Sequence, residues 1–235
     1  MENTKQPKIS TPVAIIVAGV IVMIGILLTN GGGGAKVAKE KTLSEQVGVS
    51  KDKLAECVAS TDTTSLGTKI QSSVESAMKA VPNDQRGTPY SVIIGSNGVK
   101  AEVRGALSYE NIKNLIDQVS AGTVTEQYGG EIAVTEEGDH ILGNVDAPIR
   151  IIEYSDYECP YCKIIHETFE RIVAESNGNV SWVYRHWPIH SGSFEKLVAA
   201  ECVAKIKGND AFWEYSKLLF GLLQTEQQPS FSDQL

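Results

Sequence analysis

Ile149-Arg150-Ile151-Ile152-Glu153-Tyr154-Ser155 leads, through Asp156-Tyr157-Glu158, into Cys159-Pro160-Tyr161-Cys162. The first seven residues form a short apolar run that reads as a buried strand. After the cysteines, Ile165, Phe169, Ile172 and Val173 recur at helical spacing. The cysteines therefore sit at a strand-to-helix turn, in the first turn of the helix. Amides and macrodipole at a helix N-terminus favour an anion, so a thiolate forms there at lower pH than in a free cysteine. Cys162 lies one turn further in, on the face of Ile165 and Phe169, and is expected to be buried. Cys159 opens the turn and is expected to face solvent. In that arrangement Cys159 attacks a substrate and Cys162 resolves the mixed disulfide. The same pattern is also half of a zinc site, which needs two more ligands, usually a second CxxC or a His pair at fixed spacing. Cys57 and Cys202 each stand alone in the sequence. Redox chemistry is the preferred reading, and no metal site is assigned.

The chain has 235 residues and a net charge of −8. That length holds a membrane segment and one domain with a sizeable core. The negative balance argues against nucleic acid as a partner and against a polybasic membrane patch. Four cysteines are compatible with an oxidising compartment without establishing it.

Residues 1–12 are polar, with Lys5 and Lys8 against Glu2. Val13 to Leu28 is uncharged and apolar, at the short end of a membrane span. It exceeds the usual apolar region of a cleaved signal peptide, and no clear small-x-small site follows. An uncleaved anchor over 13–29 is favoured over a cleaved signal. The preceding lysines place the N-terminus in the cytoplasm and the remainder outside. Residues 30–36 contain Gly31 to Gly34, a flexible tether. No Gly-Lys-Ser/Thr follows, which argues against a phosphate loop.

Residues 37–121 read as helices, then a hairpin, then a helix. Leu54, Cys57 and Val58 form one apolar face, and Ile70, Val74, Met78 and Val81 a longer one. Arg86-Gly87-Thr88-Pro89 breaks the helical pattern. Tyr90–Ile94 and Val99–Val103 read as strands around Ser96-Asn97-Gly98. Ser108 caps a helix with Ile112, Leu115, Ile116 and Val119 inward. Residues 122–139 form a connector with five acids (Glu126, Glu131, Glu136, Glu137, Asp139) and no Lys or Arg. A short edge strand is expected at Glu131–Thr135. Residues 140–190 hold strand, CxxC helix and the strand Val180–Tyr184. In 191–235, Phe194, Val198, Cys202 and Ile206 make one helical stripe and Phe212, Tyr215, Leu219 and Leu222 another, parted at Gly208-Asn209.

Tyr154 to Cys162, with Ala147-Pro148 before and Tyr184-Arg185-His186-Trp187-Pro188 after, resembles the DsbA-like thioredoxin family. That family consists of extracytoplasmic thiol–disulfide oxidoreductases with a helical domain inserted in a thioredoxin fold. Ala200-Glu201-Cys202 and Phe212-Trp213 resemble the insertion. Glutaredoxins share Cys-Pro-Tyr-Cys but lack the insertion and the anchor. The resemblance covers about Ala35 to Leu235 and implies an α/β fold. The order departs from the family: the Thr-Pro loop, the hairpin and the final helix here precede the CxxC. Joining Leu235 to Ala35 restores the order, so the chain resembles a circular permutant cut in the helical domain, with the acidic connector joining the old ends. Two half-domains that complete themselves by exchange between chains are the competing arrangement.

By the same resemblance, Thr88-Pro89 corresponds to the cis-proline loop that presents backbone to an extended substrate, although X-Pro bonds are ordinarily trans. Pro160 and Tyr161 flank the substrate and tune the redox balance. Glu153 corresponds to a buried acid beneath the CxxC that can take the Cys162 proton; its bland alternative is a strand Glu pointing outward. His186 and His190 have no ligand motif and read as surface or packing residues. Cys57 and Cys202 are either buried free thiols or a structural disulfide across the helical domain. The resemblance implies a disulfide-introducing oxidase with no organic cofactor, acting on reduced secreted proteins. A membrane quinone reductase resembling DsbB or VKOR would recycle it. Reductase or isomerase activity, a CxxC metal-binding module or metallochaperone, and an inactive peptide-binding scaffold are the alternatives.

Overall fold

Alternation along Ile149–Ser155 decides how the layers stack. The computed structural model describes residues 41–60 and 63–224. The apolar run from Val13, the glycine tether and the residues from 225 onward lie outside them. Helices α1 (Leu43–Gln46), α2 (Lys51–Ser60) and α3 (Thr63–Ala80) come first. The hairpin β1 (Tyr90–Gly95) and β2 (Lys100–Arg104) and helix α4 (Tyr109–Ala121) follow. Then come β3 (His140–Gly143), β4 (Ile149–Ser155), α5 (Pro160–Glu175) and β5 (Val180–His186). Helices α6 (Ser193–Lys207) and α7 (Asn209–Gly221) complete the described chain.

The sheet runs β2-β1-β4-β5-β3. The central pair β4 and β5 is parallel, with Ile151 opposite Trp182 and Glu153 opposite Tyr184. The other pairs are antiparallel. The hairpin docks on β4 of its own chain, with Ser91 opposite Glu153. Within the described residues the sheet therefore closes without an exchanged partner. Because strand side chains alternate, Ile149 and Ile151 join Trp182 and Tyr184 in one core, with Phe169 of α5 and Phe212 of α7. Ile152, Tyr154 and Val183 enter a second core with Ala77 and Ala80 of α3. Covering both faces of the central strands explains why apolar side chains fill both sides of them.

The connector does more than span. Tyr128 and Ile132 are buried in the second core, and the Tyr128 hydroxyl donates to the Ala80 carbonyl at 2.7 Å. Two of its acids reach the buried Arg185, Asp139 at 2.9 Å and Glu136 at 3.0 Å. The expected strand at Glu131–Thr135 is absent; that stretch is irregular, because its polar groups serve Arg185, which donates to the Ala133 carbonyl at 2.9 Å. The edge strand is instead β3, which begins nine residues nearer the CxxC.

Two helical faces also differ from expectation. Met78 is exposed, and the inward side of α3 is carried by Ile70, Ala77 and Ala80. Met78 stands one position round from Ala77, about 100° off the contact line. On α6, Phe194 and Ile206 are exposed while Leu197 to Val203 are all buried. This helix is packed on several sides, so no single stripe describes it. Ser108 caps α4 as expected, accepting from the Asn111 amide at 3.3 Å, and Gly122 ends it at φ 72°. Cys57 of α2 and Cys202 of α6 form a disulfide with Cα atoms 5.8 Å apart, as the pairing alternative anticipates.

Candidate active site

Cys159 is the N-cap of α5 and Pro160 its first residue. Proline suits that position because its missing N–H would have no helical partner. Cys162 is fully buried one turn in. Both cysteines are free thiols. Contrary to the sequence expectation, Cys159 does not face solvent: it is 3% exposed. The cause is the loop opposite. The Thr88-Pro89 peptide is cis, Pro89 is buried, and the Cys159 thiol lies 3.2 Å from the Thr88 carbonyl, to which it donates. That loop precedes β1 and lies beside the start of α5 because β1 pairs with β4. The exposed ring beside the thiol is Tyr161, 64% accessible. Thr88, Pro89, Pro160 and Tyr161 are thus brought together around Cys159.

The two thiols differ sharply in acidity. Cys159 is lowered to about 5, first by the hydrogen bond from the Cys162 thiol, against the opposing effect of burial. The Cys162 and Tyr161 backbone amides add to the lowering, as expected at a helix N-terminus. Burial pushes Cys162 well above the ordinary thiol range, and its hydrogen bond to Cys159 reinforces this. Glu153 points into the same core as Cys162, not outward: it is fully buried. Burial raises its carboxyl to about 8, opposed by Ser155 and Trp182. At neutral pH the arrangement is a thiolate at Cys159, a thiol at Cys162 and a largely protonated carboxyl beneath them.

Asp156, which sequence reasoning passed over, holds the turn. Its buried carboxylate accepts the amides of Glu158 at 2.8 Å, Ile189 at 2.7 Å and His190 at 2.9 Å. It also takes the His190 ring at 2.9 Å and the Ser193 hydroxyl. One side chain therefore ties the segment before Cys159 to the loop after β5. The signal was present in its place, three residues before the first cysteine, but apart from Glu158 its partners lie more than thirty residues away.

The histidines also hold a surprise. His186, read as a surface or packing residue, is buried beside His140 and Glu201. His140 lies opposite Tyr184 across β3 and β5, so the unrecognised edge strand concealed the grouping. His190 is partly exposed and pairs with Asp156.

Residues 135–234 match the family model described as Thioredoxin. The chain is 33% identical over 97 residues to Disulfide bond formation protein D of Bacillus subtilis, covering 40% of this chain and 41% of that protein. Residues 135–234 thus match a thioredoxin domain over less than half of the chain. The chain is also 33% identical over 90 residues to Na(+)/H(+) antiporter NhaA 1 of Mycolicibacterium gilvum, covering 37% of this chain and 14% of the antiporter. The chain thus spans less than half of the first relative's length and about one seventh of the antiporter's. Among solved structures, BdbD from Bacillus subtilis is 29% identical with a TM-score of 0.34, over 40% of this chain and 53% of that one. At that score the superposition carries no argument about the fold.

Proposed function

We propose that the protein is a thiol–disulfide oxidoreductase that introduces disulfides into proteins outside the cytoplasm. The observation that carries this reading is the split in acidity between a Cys159 lowered to about 5 and a Cys162 raised by burial. In the oxidised enzyme a substrate thiolate attacks the Cys159 sulfur. The Cys159–Cys162 bond breaks, a mixed disulfide forms at Cys159, and the Cys162 thiolate is released. It takes a proton from the Glu153 carboxyl, whose acidity near 8 suits that exchange. The second substrate thiolate then attacks the first substrate sulfur and expels Cys159 as a stabilised thiolate. The substrate leaves oxidised by two electrons and the enzyme reduced by two. The cis Thr88-Pro89 loop and the exposed Tyr161 ring are the surfaces against which an extended substrate would lie.

In this reading the order of the described elements, hairpin before CxxC, reflects circular permutation of the DsbA-like fold, with residues 122–139 joining the ancestral ends. Val13 to Leu28 anchors the chain, and Lys5 and Lys8 keep the N-terminus inside. Reduced secreted proteins are the substrates, and a DsbB- or VKOR-like membrane protein reoxidises Cys159 and Cys162. Among the described residues no helix is long and apolar enough to cross a membrane.

The test is the reduction potential of the Cys159–Cys162 pair by equilibration with glutathione. A potential more oxidising than about −200 mV supports the oxidase; a more reducing one replaces it with the reductase reading.

A further inference from the structure

On the other side of β5 from the hairpin, three side chains aim their ligand atoms at one another. Nε2 of His140 and Nε2 of His186 each lie 2.9 Å from Oε1 of Glu201. All three donor atoms fall within 4.8 Å of one another. They come from β3, β5 and α6, and all are buried. Lys69 of α3 completes the group, with its Nζ 2.5 Å from Oε2 of Glu201 and 3.2 Å from Nε2 of His140.

No placement of the His140 proton satisfies these contacts. With a proton on Nε2, the ring donates to Glu201, but an N–H then faces the Lys69 ammonium. Without it, the ring accepts from Lys69, but a lone pair then faces a carboxylate oxygen at 2.9 Å. A cation among the three donor atoms would remove the conflict, since both imidazoles and the carboxylate could then point lone pairs inward. A tetrahedral zinc ion with bonds near 2.1 Å sets neighbouring donors about 3.4 Å apart, within the spread seen here.

The position is also reachable. A cavity of about 510 Å³ is lined by Lys69, Asp139, His140, Arg185, His186 and Glu201. The Lys69 side chain is 26% exposed, so the ammonium can withdraw into that cavity, whose wall also carries Glu136 and Glu137.

We propose that His140, His186 and Glu201 bind one divalent transition-metal ion of the zinc class, in exchange for the Lys69 ammonium. Two imidazoles and one carboxylate are a donor set suited to zinc. The fourth position opens on the cavity and takes water or a small anion. Because the ligands come from an edge strand, a central strand and a helix, the bound ion clamps β3 and α6 to β5.

The experiment uses the full chain with both Cys159→Ser and Cys162→Ser, so that the dithiol cannot bind the probe. Zn²⁺ is titrated calorimetrically after chelator treatment, and thermal unfolding is followed with and without one equivalent. The expected result is one ion per chain and a higher Tm with zinc. His186→Gln should weaken binding at least about tenfold. Lys69→Met removes the competing cation and keeps all three ligands, so it should tighten binding even if the histidine variant folds poorly. Failure to bind saturably overturns the proposal, as does an affinity that Lys69→Met leaves unchanged or lowers.

Discussion

Replacing Glu153 by Gln should change how stability depends on pH, and the size follows from its burial. The carboxyl titrates near 8 in the folded protein against an ordinary 4.5. A raised folded value means that the folded state keeps a proton which the unfolded chain releases. The resulting stability is fully present below about pH 4.5 and is lost as pH rises through about 8. At about 1.36 kcal/mol per unit, this group alone costs the wild type roughly 5 kcal/mol between those limits. Gln cannot ionise, so the variant lacks this loss. Urea midpoints of wild type and Glu153→Gln, both oxidised to remove the Cys159 thiolate, should therefore be similar at pH 4.5. They should diverge as pH rises, with the variant the more stable at pH 8. The difference between the two proteins cancels the other titrating groups. Burial is the largest cause of the shift, so it persists without the thiolate. Parallel curves across this range would refute the reasoning and mean that the carboxylate is ionised and compensated in the fold.

Removing the second disulfide by Cys57→Ala with Cys202→Ala opens a loop with a sequence separation of 145. Chain entropy puts the loss at about 5 kcal/mol, seen as a lower urea midpoint; an unchanged midpoint would mean the bond does not form. Iodoacetamide should label reduced protein rapidly at pH 6 through Cys159, since its thiol is lowered to about 5. That labelling should survive Cys162→Ser and vanish in Cys159→Ser. Asp156→Asn places an amide where three backbone N–H groups converge. It should cost roughly 2–4 kcal/mol in thermal or urea unfolding, and slow alkylation or an altered Cys159 pH profile should accompany it. Protease added to cells stripped of any outer layer should digest the redox domain if the anchor reading holds.

Much of this fold lies on the surface of the sequence. The run from Ile149 to Cys162 gave strand, turn and helix because a mostly apolar strand, paired cysteines and helical spacing after them act locally. Ser108 and Ser96-Asn97-Gly98 set their elements' ends for the same reason. The site residues from distant segments were legible only through resemblance. Thr88 meets Cys159 because β1 pairs with β4, and no local pattern encodes that pairing. What escaped depends on tertiary register. β3 is four residues long, too short for alternation to distinguish it from the connector. Missing it hid His140, and with it the grouping of His186 and Glu201. The exposure of Cys159 was misjudged because a helix N-cap is open until another loop covers it. Met78 and Phe194 were misplaced because helical spacing does not say how much of a helix its neighbours enclose.

The sheet order also sets a schedule for synthesis. Strand β1 is made about 55 residues before β4, the neighbour that covers its second edge. At roughly 5–20 residues per second, the hairpin spends on the order of several seconds with that edge unpaired. All six residues of β1 are buried in the finished sheet, so the waiting edge is apolar as well as open. Such an edge invites pairing with another chain, and a hairpin delivered early therefore depends on Ile149–Ser155 arriving before a competing strand does.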